Sequence, residues 1–378
     1  MASGFSGKIF FYCIRPEYPP GNNPGFYPHL FVCLAEGLKE LGIEIYSNMN
    51  FWRTSSENEE YLFCHDPEIM PDDCAVVVMD QHWLHYSGKP FPDNLFHPKR
   101  KYTTVYLDNN DGFITPSWRP EFRQFDFVLK AHYNSKWPYP SNFHPWAVGL
   151  SSRMLRATEN LPTFKERKRQ ILVNFRIMHP VRDIFRKKFL PQLESVLPSN
   201  NSVDSFNAPP SEPYDYIQWD QTGKRHYPSY YKRLKEVAAC ACVGGHLIPS
   251  WPKDPQLLYG GIWRKILRKT VKLTLLKLEP TRARLAQWDS WRFWESLAAG
   301  CVTFQVDFEK HGLFLPVMPE NWRHYIGVDL DKPQEAVRTI ADDPEILERI
   351  STEGRLWALE HYSPVATARR FLNIVVSK

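Results

Sequence analysis

The stretch Trp288-Asp-Ser-Trp-Arg-Phe-Trp-Glu-Ser-Leu-Ala-Ala-Gly-Cys-Val-Thr-Phe304 reads as a helix that runs into a buried strand. Ser290 is a good N-cap residue, Trp291 to Ala299 has helical character, Gly300 is a good C-terminal stop, and Cys301 to Val306 is short and apolar. The start of such a helix offers unpaired N–H groups and the positive end of its dipole, which suits the phosphates of a nucleotide. Arg292 adds a cationic fork. Glu295, one turn further on, can accept hydrogen bonds from ribose or sugar hydroxyls. The competing reading is a plain amphipathic helix with a surface Arg and Glu.

Outward from this stretch, strand-like and helix-like segments alternate, the pattern of an α/β fold with a largely parallel sheet. Lys8 to Ile14 is a first strand, His29 to Leu41 an amphipathic helix closed by Gly42, and Ile43 to Tyr46 a second strand. Further strands are predicted at Ala75 to Met79, Thr103 to Leu107 and Phe127 to Lys130, each running into a polar stretch with His, Asp or Asn. From Ser151 to Lys168 the β pattern is lost. It resumes at Ile171 to Phe175 and recurs near Ala238 to Val243, Val302 to Val306 and Tyr325 to Val328. This places a domain boundary near residue 160, in keeping with 378 residues, which suit two cores better than one. In such sheets ligands bind beyond the carboxyl ends of the strands, and two such domains facing each other enclose a cleft.

Composition bounds the function. Hydrophobic residues at 43% and charged residues at 24% exclude a disordered or collagen-like chain. A formal charge of +5 falls short of a nucleic-acid binder's signature. The seven cysteines contain no Cys-x-x-Cys and no paired metal spacing, so they read as reduced thiols of a cytoplasmic protein. No apolar stretch approaches the ~20 residues that span a bilayer, and the N-terminus lacks the pattern of a signal peptide.

The run Arg292, Glu295-Ser-Leu-Ala-Ala-Gly-Cys301 and Val302 to Val306 resembles the C-terminal domain of GT-B glycosyltransferases, particularly the group-1 and exostosin-like families. Tyr325-Ile-Gly-Val-Asp-Leu330 and Gly354-Arg-Leu-Trp-Ala-Leu-Glu-His-Tyr-Ser363 are similar to the continuation of that domain. The resemblance covers about residues 290 to 372. It implies two facing Rossmann-like domains with parallel sheets and an interdomain cleft: residues 1–160 on the acceptor side, 161–355 on the donor side, and a C-terminal helical segment, 356–378, that packs back on the first. It also implies a nucleotide-sugar donor, no metal and no other cofactor. Retaining group-1 enzymes often carry a second Glu eight residues before the one at Glu295. Gln287 stands there instead, which tilts the expectation toward inversion.

On the donor side, Ile171 to Arg176 followed by His179 and Arg182 resembles the first strand and loop of that domain, with Arg176 and Arg182 as candidate phosphate clamps. Gly244-Gly245 lets backbone approach a ligand closely, or is simply a turn. On the acceptor side an inverting transfer needs a base. Asp108 and Asp111 follow one strand, and Asp80 and His82 follow another; Asp108 is the preferred base, although Asp108 to Gly112 also reads as a plain turn. The long loop from Arg15 to Pro28 brings Arg15, Tyr18 and His29 to the acceptor side, or is a rigid surface loop.

Ile262 to Leu278 alternates apolar and basic residues at near-helical spacing. Such a helix can rest on the anionic inner face of a membrane and pass a lipid-linked acceptor to the cleft, or can pack on its own core. The expectation is a metal-independent glycosyltransferase acting on a glycan or lipid-linked acceptor and not on nucleic acid. An inactive carbohydrate-binding or scaffold protein of the same fold is the alternative, with a binder of single-stranded nucleic acid behind it.

Overall fold

The computed structural model describes residues 5–14, 27–86, 90–110, 119–176, 179–201, 208–248 and 284–377. The first half builds one sheet from β1 (Ile9–Tyr12), β2 (Ile45–Ser47), β3 (Phe51–Arg53), β4 (Tyr61–His65), β5 (Val76–Asp80), β6 (Thr103–Asp108), β7 (Phe127–Lys130) and β8 (Phe143–Pro145). Its order is β3-β4-β2-β1-β5-β6-β7-β8, and every pairing is parallel except β3 with β4. Runs such as Val76–Asp80 are buried throughout, because a central parallel strand is covered on both faces.

The second half builds a wholly parallel sheet from β9 (Lys168–Leu172), β10 (Ser199–Asn200), β11 (Val237–Ala241), β14 (Val302–Val306) and β15 (Ile326–Val328), in the order β10-β9-β11-β14-β15. Between β11 and β14 in sequence, β12 (His246–Ile248) pairs antiparallel with β13 (Arg284–Ala286). The chain passes from one sheet to the other between Pro145 and Lys168.

Five helices matter for the site: α1 (His29–Glu40), α2 (Pro228–Glu236), α3 (Trp291–Ala298), α4 (Ile346–Tyr362) and α5 (Pro364–Val376). The α4 helix lies on α3 and β14, whereas α5 crosses back onto α1. Phe371, Leu372 and Val375 of α5 therefore belong to the core of the first sheet. Both sheets reverse winding direction once, between β1 and β5 in the first and between β9 and β11 in the second. Loops diverge from the carboxyl ends of the strands at such points and leave a crevice.

Candidate functional site

Residues after the carboxyl ends of both sheets line one cleft of about 350 Å³. Asn109, which follows β6, and His132, which follows β7, come from the first sheet. His179 and Arg182, beyond β9, and the segment Gln287 to Arg292 leading into α3 come from the second. Gln287 and His132 both hold left-handed backbone, with φ of 54° and 53°, a cost of order 1–3 kcal/mol per residue that tends to gather at functional sites.

The electrostatics of the cleft are one-sided. Arg182 is fixed by Nε donating to the Val243 carbonyl at 3.1 Å and Nη1 donating to that of Arg176 at 3.2 Å, with its guanidinium over the Phe175 ring. Burial and the nearby charge of Arg292 bring Arg182 down to about 10. His179 falls to about 3, because burial and then Arg182, His246 and Arg292 all oppose a second proton. No carboxylate among the described residues pairs with Arg182 or Arg292. Asp289, the one acid among the described residues of the wall, is spent internally: its oxygens accept from Val148 N at 2.8 Å and Trp294 Nε1 at 2.7 Å, and burial pushes its carboxyl up to about 7. Two buried polar atoms at the start of α3, Ser290 Oγ and Arg292 Nε, have no hydrogen-bond partner. Ser290 occupies the N-cap position without a side-chain cap bond. The helix start, two guanidiniums and an idle hydroxyl thus share a concave wall, an arrangement suited to a polyanion.

The remaining donor-side candidates fall around this wall. The backbone of Gly245 has φ of +114°, and a Cβ there would stand 2.7 Å from the Ala286 carbonyl oxygen, so the position requires glycine. Its N–H donates to His179 Nδ1 at 2.9 Å. Gly244 lies against His179 and Arg182 with ordinary room for a Cβ. The Arg176 side chain is exposed and does not line the cleft; only its carbonyl takes part, by holding Arg182.

Glu295 differs from expectation. It is fully buried, and both oxygens are occupied by protein donors: Tyr230 Oη at 3.1 Å, Tyr231 Oη at 2.8 Å and His226 Nδ1 at 2.7 Å. Burial pushes its carboxyl up, but the adjacent His226 and these hydrogen bonds outweigh it and hold the group near 2. His226, and not Glu295, is among the residues that line the cleft. Nothing local in the sequence marks His226, since its partner lies 69 residues away and becomes a neighbour only when α2 packs beside α3.

On the other wall, the preferred base is corrected. Asp108 is wholly buried, paired with the equally buried Lys130 Nζ at 3.1 Å, and accepts from the Asn110 backbone and side chain. A carboxylate fixed this way has no approach to an acceptor hydroxyl. His29 is likewise buried; its Nε2 bonds the Gly149 carbonyl at 3.2 Å and burial lowers it to about 4, so it packs in the core and does not line the acceptor side. His82 is held by Asp80, with Nδ1 2.6 Å from Oδ2, at the carboxyl end of β5. Arg15, Tyr18, Asp111 and the basic segment 262–278 lie outside the described residues. Among the described residues no group of His, Cys, Asp or Glu could hold a metal ion, and no helix is long and apolar enough to cross a membrane.

A second cavity, about 460 Å³, lies beside α2 and shares His226 with the first. It is larger, yet acids stand among its cations: Asp215 faces Arg156 and Glu159 also lines the cavity, while Arg153 bonds the carbonyls of Arg225 and His226 and Lys235 bonds the Glu159 carbonyl. The smaller cleft, with uncompensated charge, is the better site.

No family model matches this sequence, and neither does that of any curated protein. Solved structures do match over nearly the whole chain. An α-glucosyltransferase bound to UDP and a 13-mer DNA containing an HMU base superposes with a TM-score of 0.53 at 10% identity, covering 98% of this chain and 100% of its own. The same fold bound to UDP-glucose and DNA containing an abasic site gives 0.51 at 10% identity, covering 98% and 99%. The chain has the GT-B fold. Its two sheets are the two halves of that GT-B architecture, and the cleft lies where their carboxyl ends converge.

Proposed function

We propose that this chain is a glycosyltransferase that uses a nucleotide-sugar donor. The observation that carries the reading is the pair Arg182, beyond β9, and Arg292, at the start of α3, two guanidiniums in one cleft that pair with no carboxylate among the described residues. A diphosphate is the complementary ligand: its oxygens only accept, and both the guanidiniums and the helix amides only donate. The same groups would stabilise the charge that builds on the leaving diphosphate as the bond to the anomeric carbon breaks. We place the acceptor, a glycan or lipid-linked sugar, against the first sheet. His82, oriented by Asp80, would take the acceptor proton in an inverting transfer. The α-glucosyltransferases of the same fold were solved with UDP or UDP-glucose, which makes UDP the first nucleotide to test.

Thermal-shift and calorimetric titration with UDP, GDP, CDP and ADP test the proposal. One of them is expected to bind and raise Tm, and Arg292→Gln should weaken it about 10- to 100-fold, the value of one or two charge-assisted hydrogen bonds. Failure of every nucleotide to bind the wild-type protein would remove the reading.

A further inference from the structure

Three histidines line the cleft, and the protein fixes their hydrogens in opposite senses. His179 Nδ1 accepts from Gly245 N at 2.9 Å, and His132 Nδ1 accepts from Asp289 N at 3.0 Å. Burial is the main reason both rings resist a second proton. Each therefore carries its single hydrogen on Nε2, which is a donor. His226 is reversed. Its Nδ1 faces a carboxylate that can only accept, so Nδ1 bears the hydrogen and Nε2 of the singly protonated ring is an acceptor. Nε2 has no protein partner among the described residues.

The ring is firmly held. Tyr230 lies against it at 4.7 Å between centroids, Trp291 stands edge-on at 6.2 Å, and Arg153 bonds its carbonyl at 3.2 Å. Arg225, stacked on Trp291 at 4.4 Å, also lines the cleft. The backbone at His226 is left-handed, φ 57°, and such a conformation persists only where the surroundings over-determine it. A buried carboxylate that sets the tautomer and aim of a cleft histidine is an arrangement for presenting the opposite nitrogen to a ligand.

Phosphate oxygens would meet Nε2 lone pair to lone pair. A hydroxyl would donate to it. We propose that His226 is the hydroxyl reader of the cleft: its Nε2 accepts a hydrogen bond from a hydroxyl of the nucleotide-sugar, on the ribose or on the transferred sugar, while Glu295 acts on the ligand only through this ring. The inference rests on the nucleotide-sugar reading above. Asn109 Oδ1, buried and without a partner, is a second acceptor on the facing wall.

The test is calorimetry on the full chain with the tightest of the four nucleoside diphosphates, its 2′-deoxy and 3′-deoxy analogues, the matching nucleotide-sugar, and inorganic pyrophosphate. If the ribose is read, the wild type binds the parent about tenfold better than one deoxy analogue, one hydrogen bond's worth. His226→Phe then abolishes that ratio, His226→Gln restores part of it, and Glu295→Gln lowers it by freeing the tautomer. If the transferred sugar is read, the loss in His226→Phe appears only with the nucleotide-sugar. Pyrophosphate affinity should stay within about twofold of wild type in His226→Phe. A His226→Phe protein that keeps the wild-type ratios and the wild-type nucleotide-sugar affinity overturns the inference and leaves the donor reading standing. Equal loss of pyrophosphate also overturns it, since His226 would then meet phosphate. A wild type that binds neither nucleotide nor pyrophosphate removes both.

Discussion

Asp108 and Lys130 are each completely buried and face one another at the ends of adjacent strands, in the register Asp108↔Lys130 of β6 and β7. Lys130 also donates to the Asn110 carbonyl at 2.6 Å. Removing one partner leaves the other charge desolvated, so Lys130→Met should cost ~3–5 kcal/mol in urea unfolding, and Asp108→Leu in the same molecule should recover most of it. This pair also explains why a base was expected in the wrong place. Asp108 follows a predicted strand, but nothing in the sequence reveals that a lysine 22 residues on ends opposite it. Asp289 gives a pH signature. Its folded carboxyl titrates near 7, above the ordinary 3.8, so between about pH 4 and pH 7 the folded protein keeps a proton that the unfolded chain has released. Stability attributable to this group is therefore full below pH 4, declines through that window, and is flat above it. At ~1.4 kcal/mol per pK unit the loss is a few kcal/mol at most. Urea unfolding at pH 4.5 and 7.5 should show a steeper decline for wild type than for Asp289→Asn; equal declines would refute the assignment.

The loop after β11 meets the loop beyond β9 and the strand β13 through Gly245, whose N–H holds His179 and whose α-carbon faces the Ala286 carbonyl of β13. Gly245→Ala forces a Cβ to within 2.7 Å of that oxygen at a φ that disfavours side chains. A loss of ~1–3 kcal/mol is expected, together with weaker nucleotide binding as His179 is released; thermal melts and calorimetry on the same sample measure both. At this scale the sequence is most informative where the signals are local. The N-cap serine, the apolar run and Gly300 around α3 are contiguous, and β5, β6, β11 and β14 are short apolar runs that need no distant partner to be recognised. By contrast β3 and β12 owe their existence to pairing across β4 and β13, with three residues each to announce it. Glu295 sits as expected on α3, but its occupation by Tyr230, Tyr231 and His226 depends on how α2 docks, which no spacing encodes.

Across the whole molecule, the two halves are tied by the last helix. A Cβ on Gly37 of α1 would fall 1.9 Å from the Pro364 carbonyl oxygen and 2.9 Å from the Ala368 Cβ, so α1 and α5 meet with their backbones nearly touching. Phe371 is fully buried in the first sheet's core although it follows α4, which packs on the second sheet. Trp291, at the start of α3, packs against both cores. Neither half can therefore open without exposing apolar surface of the other, and wild-type unfolding is expected as a single calorimetric transition. Phe371→Ala removes ~3–5 kcal/mol from the first-sheet side of this tie and should split the transition in two. Nucleotide at about 100 times its Kd adds ~2.7 kcal/mol to whatever holds the site. If the diphosphate rests on Arg182, Arg292 and α3, that gain falls on the second-sheet transition of Phe371→Ala alone. A shift confined to the first-sheet transition would place the nucleotide on the opposite wall and contradict the donor site argued from the two arginines.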